Sequence, residues 1–266
     1  MWVEKPMPTE VYFVLNRLRQ LAAEDSSLSR RQPFKAALAG DATYFHEVGA
    51  LGVLPLVLRA ESGMTQEQFA LDARHFLATQ RHPEMRESYT DLVYQPMLEL
   101  VRYLRERGFQ IWLCSGGTTD FMRAFASSTY GVPRDHVIGS ALARESRVVD
   151  GKRVIWRLDA TAPPNDKELK PVNIDEHIGR RPLLAAGNVL SGGDIAMLEY
   201  SRGRTGPSLQ LLVHHDDAKR EYAYEERDSA SLRAARTHGF VVVSMQRDWK
   251  TIFSPKLDSL RSEIRP

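Results

Sequence analysis

Past residue 108 the chain repeatedly switches hydrophobic period, from short strand-like runs to helical spacing and back, and few architectures accept that rhythm. The runs are Phe109 to Cys114, Val137 to Gly139, Leu183 to Ala186, Leu209 to Val213 and Phe240 to Val243. Helical patterns stand between several of them, including Thr119 to Tyr130 and a stretch bearing Ile195, Met197 and Leu198. Strands alternating with helices predict a parallel sheet with helices on both faces, an α/β core, because parallel neighbours need long crossover connections. One segment breaks the pattern. Arg147 to Val149 and Arg153 to Trp156 flank Asp150-Gly151, which predicts a hairpin.

Before residue 108 the reading is helical. Thr9 opens a stretch whose apolar residues (Val11, Leu15, Leu18, Leu21, Ala22) recur at helical spacing up to Asp25-Ser26-Ser27. Thr65 followed by Gln68 is a capping box that opens a helix over Gln66 to Thr79. Shorter helical pieces are expected around Phe34–Leu38 and Thr43–Leu51. A further helix runs from about Pro96 to Arg107, with Met97, Leu100, Val101 and Leu104 on one face and Gly108 ending it. The pattern divides the chain into a helical portion, residues 8–88, and an α/β portion, residues 89–266.

Composition narrows the function classes. A net charge of +2, with no basic run longer than a pair such as Arg30-Arg31 or Arg180-Arg181, argues against a nucleic-acid partner. No apolar run approaches membrane-spanning length, so no membrane partner is expected either. The single cysteine, Cys114, excludes an internal disulfide and a multi-thiolate zinc site. Met1 to Pro6 lacks the apolar stretch of a signal peptide, and any such signal would have to lie upstream, so the compartment stays open.

In a parallel α/β sheet ligands gather at the carboxyl ends of strands. Cys114-Ser115-Gly116-Gly117-Thr118-Thr119 is one such end, where a hydroxyl and backbone amides can cradle a phosphate. Read blandly, it is a tight strand-to-helix turn. Asn165-Asp166-Lys167-Glu168-Leu169-Lys170-Pro171 places lysines before a helix, suited to a phosphoryl charge or merely exposed in a loop. Gly187-Asn188-Val189-Leu190-Ser191-Gly192-Gly193-Asp194 is a second strand end, where a carboxamide and a carboxylate suit Mg²⁺ or cap a helix. The pair His214-His215 has no third ligand at clear spacing, and hydrogen bonding to the backbone is its expected role. A nucleotide-binding reading of Ser115-Gly116-Gly117 would need Gly-x-Gly-x-x-Gly, which the chain does not contain.

These three segments, in this order, resemble the second, third and fourth motifs of the haloacid dehalogenase superfamily, in its phosphoserine phosphatase-like branch. Tyr94-Gln95-Pro96-Met97, Val213-His214-His215-Asp216-Asp217 and Asp248-Trp249-Lys250 also resemble that branch. The resemblance implies a Rossmann-like core with an inserted helical cap, and a phosphatase acting on a small-molecule phosphomonoester with Mg²⁺. It implies that Ser115 bonds the phosphate, that Gly116 adds an amide beside Gly117, and that Lys170, with Lys167 as the alternative, bridges phosphate and nucleophile. It implies that Asn188 and Asp194 serve the metal. Five residues separate these two, where three or four are usual, which leaves Asp194 the firmer of the pair.

The superfamily's first motif, Asp-x-Asp-x-Thr or -Ser, supplies the nucleophile that forms an aspartyl-phosphate. No Asp-x-Asp occurs in these 266 residues, and Trp2-Val3-Glu4-Lys5-Pro6-Met7-Pro8 resembles the segment that comes directly after that motif in the family. The expectation is therefore a chain truncated at the motif's edge and inactive as it stands, or alternatively a non-catalytic phosphate-binding remnant. The first strand of this fold lies between those bearing Ser115 and Gly187, so the sheet is expected to lack its centre.

Overall fold

A computed structural model describes residues 1–190 and 192–254; Ser191 and 255–266 lie outside the described residues. The chain opens with helices α1 (Thr9–Glu24), α2 (Phe34–Ala39), α3 (Ala42–Val48), α4 (Ala50–Glu61) and α5 (Gln66–Thr79), followed by α6 (Gln95–Glu106). Then come β1 (Leu113–Thr118), α7 (Thr119–Arg123), α8 (Ala126–Tyr130), β2 (Val137–Ser140), β3 (Leu142–Val149) and β4 (Lys152–Thr161). The last third holds α9 (Leu169–Ile178), β5 (Leu184–Asn188), α10 (Ile195–Arg202), β6 (Leu209–His214), α11 (Ala230–His238), β7 (Val241–Ser244) and α12 (Met245–Asp248). No helix among the described residues is long and apolar enough to cross a membrane.

Local chemistry explains most of these bounds. Thr65 Oγ1 accepts the Gln68 N–H at 3.1 Å and starts α5, but the Gln68 side chain turns to Asp72 instead of closing the reciprocal half of the predicted box. The piece expected over Thr43–Leu51 is two helices, broken at Gly49, whose φ of 60° a side chain resists. The predicted hairpin is β3 and β4, antiparallel, with Asp150 and Gly151 both at positive φ as a two-residue turn requires. The helix expected from Thr119 to Tyr130 bends at Ala124 and Phe125 into α7 and α8.

The strand expected over Phe109–Cys114 starts later, at Leu113, and runs on to Thr118. Phe109 is 40% exposed, so its end of the run is not core. β1 pairs in parallel with β2, and β5, β6 and β7 form a second parallel group. These groups are separate sheets: β1 bonds only to β2, and β5 only to β6. The described residues thus carry no strand between the one bearing Ser115 and the one bearing Gly187, as expected. Met1 to Val3 lies instead alongside residues 92–94, with Val3 N–H on Leu92 O and Tyr94 N–H on Met1 O.

One apolar cluster binds the helical portion to the α/β portion. Phe13 of α1 and Phe69 and Phe76 of α5 pack with Leu113, Phe121, Phe125 and Val137. Phe13 meets Phe69, Phe76 and Phe121 at ring-centroid distances of 5.6, 5.5 and 5.2 Å. Burying a ring of this size contributes about 2–3 kcal/mol, so the contact holds α1 and α5 against α7 and the start of β1.

Candidate functional site

The site begins as a defect in a strand pair. Between the Cys114–Ile138 and Thr118–Ser140 pairings, β1 sets three residues, Ser115, Gly116 and Gly117, against Gly139 alone. The excess bulges out and frees the loop's amides from the ladder. Gly139 is required here, because a β-carbon on it would stand 2.7 Å from Gly117 O and 2.8 Å from Thr119 N. The Gly117 N–H turns back onto Ser115 Oγ at 3.1 Å.

Asn165, fully buried, locks this loop. Its side-chain amide donates to Ser115 O at 2.8 Å and to Ile138 O at 3.3 Å, and its backbone N–H donates to Ser140 Oγ at 3.0 Å. The Ser140 hydroxyl in turn donates to Gly116 O at 2.8 Å. The second segment is therefore stitched to the first. Lys170, buried in the first turn of α9, forms an ion pair with Asp194 at the start of α10. Burial works against the Lys170 charge, but the Asp194 carboxylate, together with Cys114 and Asp166, outweighs it and holds the ammonium above its ordinary range. Lys167, the alternative lysine, is exposed.

The longer loop of the third segment does not part its two polar residues. Asp194 Oδ2 accepts the Asn188 backbone N–H at 2.9 Å, and Gly187 leaves room for the Asp194 side chain, whose Cβ and carboxylate a β-carbon there would meet at 2.5 and 2.9 Å. Asn188 Oδ1 accepts the Leu190 N–H at 3.1 Å, and Asn188 Nδ2 donates to Glu4 Oε2 at 2.9 Å. These donors are hard oxygens, of the kind Mg²⁺ takes. In number they fall short: both Asp194 oxygens have partners, and the described residues contain no group of three or more His, Cys, Asp or Glu placed to hold a metal.

Ser115, Gly116, Gly117, Lys170, Asn188 and Asp194 thus stand at the carboxyl ends of β1 and β5 with α9 between them. Asn165 and Glu4, which stand inside the family-like segments, and Glu10 carry no signal of their role in sequence. Glu10, in α1, accepts from the Thr118 N–H at 3.0 Å, across a separation of 108 residues that no spacing rule spans. Burial, against the opposing pull of its Thr118 hydrogen bonds, raises the Glu10 carboxyl above its usual range.

His214 and His215 depart from expectation: their ring partners are carboxylates, not backbone. His214 lies 3.2 Å from Glu225 and His215 3.3 Å from Glu221, whose other oxygen accepts the Tyr94 hydroxyl at 3.0 Å. The Asp216-Asp217 and Asp248-Trp249-Lys250 segments do meet. Arg220, paired with Asp217, donates to Trp249 O at 2.8 Å and Lys250 O at 3.0 Å.

A sequence model of the haloacid dehalogenase-like hydrolase family matches residues 12–199. No curated protein matches the chain. Among solved structures, a Bordetella pertussis protein described as of unknown function aligns with a TM-score of 0.55 at 14% identity, over 91% of this chain and 93% of that one. A Francisella tularensis protein described as phosphoserine phosphohydrolase-like aligns with a TM-score of 0.42 at 15% identity, over 86% and 87%.

Proposed function

The chain belongs to the haloacid dehalogenase-like hydrolases, and from that premise we propose that its site is that of a Mg²⁺-dependent phosphatase acting through an aspartyl-phosphate on a small phosphomonoester. The observation that carries the reading is the convergence of the three strand-end segments, joined by Asn165 on Ser115 O and by Lys170 on Asp194. In this reading the Ser115 hydroxyl and the Gly116 and Gly117 backbone hold the phosphate, and Lys170 is the cation that meets its charge. Its ion pair with Asp194 keeps that cation protonated and aimed. Asn188 and Asp194 would supply part of a Mg²⁺ shell that they do not complete by themselves. When bound, the metal supplies charge stabilisation to the phosphoryl oxygens. Residues 8–88 act as the cap that covers the site and excludes water.

These 266 residues contain no Asp-x-Asp and are proposed not to turn over by themselves. A strand between β1 and β5 would pair with both and deliver such a motif beside Ser115 and Lys170. The test compares this chain with one extended at its front by a strand ending in Asp-x-Asp-x-Thr, assayed on para-nitrophenyl phosphate with Mg²⁺. The extended chain is expected to hydrolyse the ester and to lose activity on Lys170→Met. If it is as inactive as the shorter chain, the enzyme reading fails. Ser115-dependent binding of inorganic phosphate without turnover would instead support the second reading, a phosphate-binding remnant, which the lack of any Asp-x-Asp favours.

A further inference from the structure

The proposed phosphate cradle has an acidic neighbour. The Glu10 carboxylate accepts the Thr118 backbone N–H through both oxygens, each at 3.0 Å, and also takes the Thr118 hydroxyl. A β-carbon on Gly117 would stand 2.5 Å from Glu10 Oε2 and 3.5 Å from Ser115 Oγ, so carboxylate and hydroxyl lie against one glycine. A carboxylate in that position repels a phosphate dianion and competes with it for backbone donors of the same loop.

Behind Glu10 stands Glu61, the last residue of α4, with no solvent exposure. Its Oε2 lies 3.4 Å from the Thr118 hydroxyl and accepts from Arg157 of β4 at 2.9 Å. Glu61 Oε1 is buried and, among the described residues, has no donor to accept from, which suits an oxygen that carries a proton and donates it to Glu10. Burial first, and then the Glu10 charge, push the Glu61 carboxyl well above its usual range in spite of Arg157. The remaining charged group at this junction is Asp120 of α7, also paired with Arg157, with Arg123 and Arg144 at 3.8 and 3.6 Å on its far oxygen. Arg157 pairs directly with Glu61 and Asp120 and acts on Glu10 only through space, which leaves the Thr118 hydrogen bonds and the proton on Glu61 as the direct partners of Glu10.

We propose that Glu10 is a specificity-determining residue of the phosphate cradle: paired with Glu61, it makes the site take up a proton together with phosphate, so that binding is favoured at low pH. This rests on the cradle proposed above. No bond is made or broken. With the Glu61 proton already in place, the proton taken up comes from solvent, binds the Glu10 carboxylate, and cancels the charge facing the anion.

The experiment titrates inorganic phosphate into the 266-residue protein and into Glu10→Gln, from about pH 5.5 to 8, with Ser115→Ala as the control for the cradle. Taking the ratio of the two affinities removes the titration of phosphate itself. Wild-type affinity is expected to fall relative to Glu10→Gln by up to about tenfold per pH unit, the slope of one linked proton. Calorimetry of the wild type with inorganic sulfate, whose charge is constant over this range, in buffers of different ionisation enthalpy should show uptake of about one proton. That measurement stands if Glu10→Gln does not fold. Parallel pH profiles for wild type and Glu10→Gln, or sulfate binding without proton uptake, would overturn the inference and leave the cradle intact. Phosphate binding that survives Ser115→Ala unchanged, or no binding at any pH, would overturn the cradle and the inference with it.

Discussion

Replacing Arg157 by methionine tests what fastens the helical portion to the sheet. The guanidinium has no solvent exposure and donates to Glu61 O at 2.6 Å, Glu61 Oε2 at 2.9 Å and Gln66 Oε1 at 3.2 Å, with a further bond to Asp120. It also stacks 3.8 Å over the Phe69 ring. Methionine keeps the apolar stem against Phe69 but strips the buried Asp120 carboxylate of its shortest ion pair and leaves Glu61 Oε2 and O without their donor. Breaking a buried pair in this way costs about 3–5 kcal/mol. At roughly 2–4 °C per kcal/mol for a chain of this size, the melting temperature should fall by about 10 °C. Glu61→Gln should cost far less, about 1 kcal/mol or under, because the Glu61 carboxyl already resists ionisation and an amide can still donate toward Glu10. Arg157→Met combined with Glu61→Gln and Asp120→Asn should regain much of the loss. Thermal and urea unfolding of the set measures this. A melting temperature for Arg157→Met within about 2 °C of the parent, or a Glu61→Gln as damaging as Arg157→Met, would refute the assignment of Arg157 as the fastening.

The same cluster sets a pH dependence with a definite sign. The Glu61 carboxyl is raised well above 4.5 in the folded chain, so its contribution to stability is full below that value and is lost as pH climbs through the raised one; urea titrations should show a downward slope that Glu61→Gln flattens. Asn165→Leu strips donors from Ser115 O and Ile138 O, and should cost about 1–3 kcal/mol while loosening phosphate binding, read by unfolding and by phosphate titration. Arg220→Ala removes the donor to Met245 O, Trp249 O and Lys250 O and leaves the buried Asp217 with backbone donors but no cation; a loss of about 2–3 kcal/mol is expected in urea unfolding.

Local chemistry wrote much of this protein in plain view. Alternating periods dictated the α/β class, Thr65 the start of α5, and Asp150-Gly151 the hairpin turn, because each depends on neighbours a few residues away. The resemblance of three segments to family motifs named Ser115, Lys170, Asn188 and Asp194, and Lys170 and Asp194 form an ion pair across 24 residues. Where β1 begins was not legible, since Phe109 to Trp112 carry a strand's composition and only a partner strand decides whether it is used. Nor was the company of the cradle legible. Glu10 reaches Thr118 and Arg157 reaches Glu61 over sequence separations of 108 and 96 residues. Whether a carboxylate is an exposed helix charge or a buried proton-sharing group depends on the medium around it. That medium exists only after the helices before residue 80 have packed against β1, α7 and β4, which is why the sequence could single out the loop at Ser115 to Gly117 but only the tertiary structure could set an acid beside it.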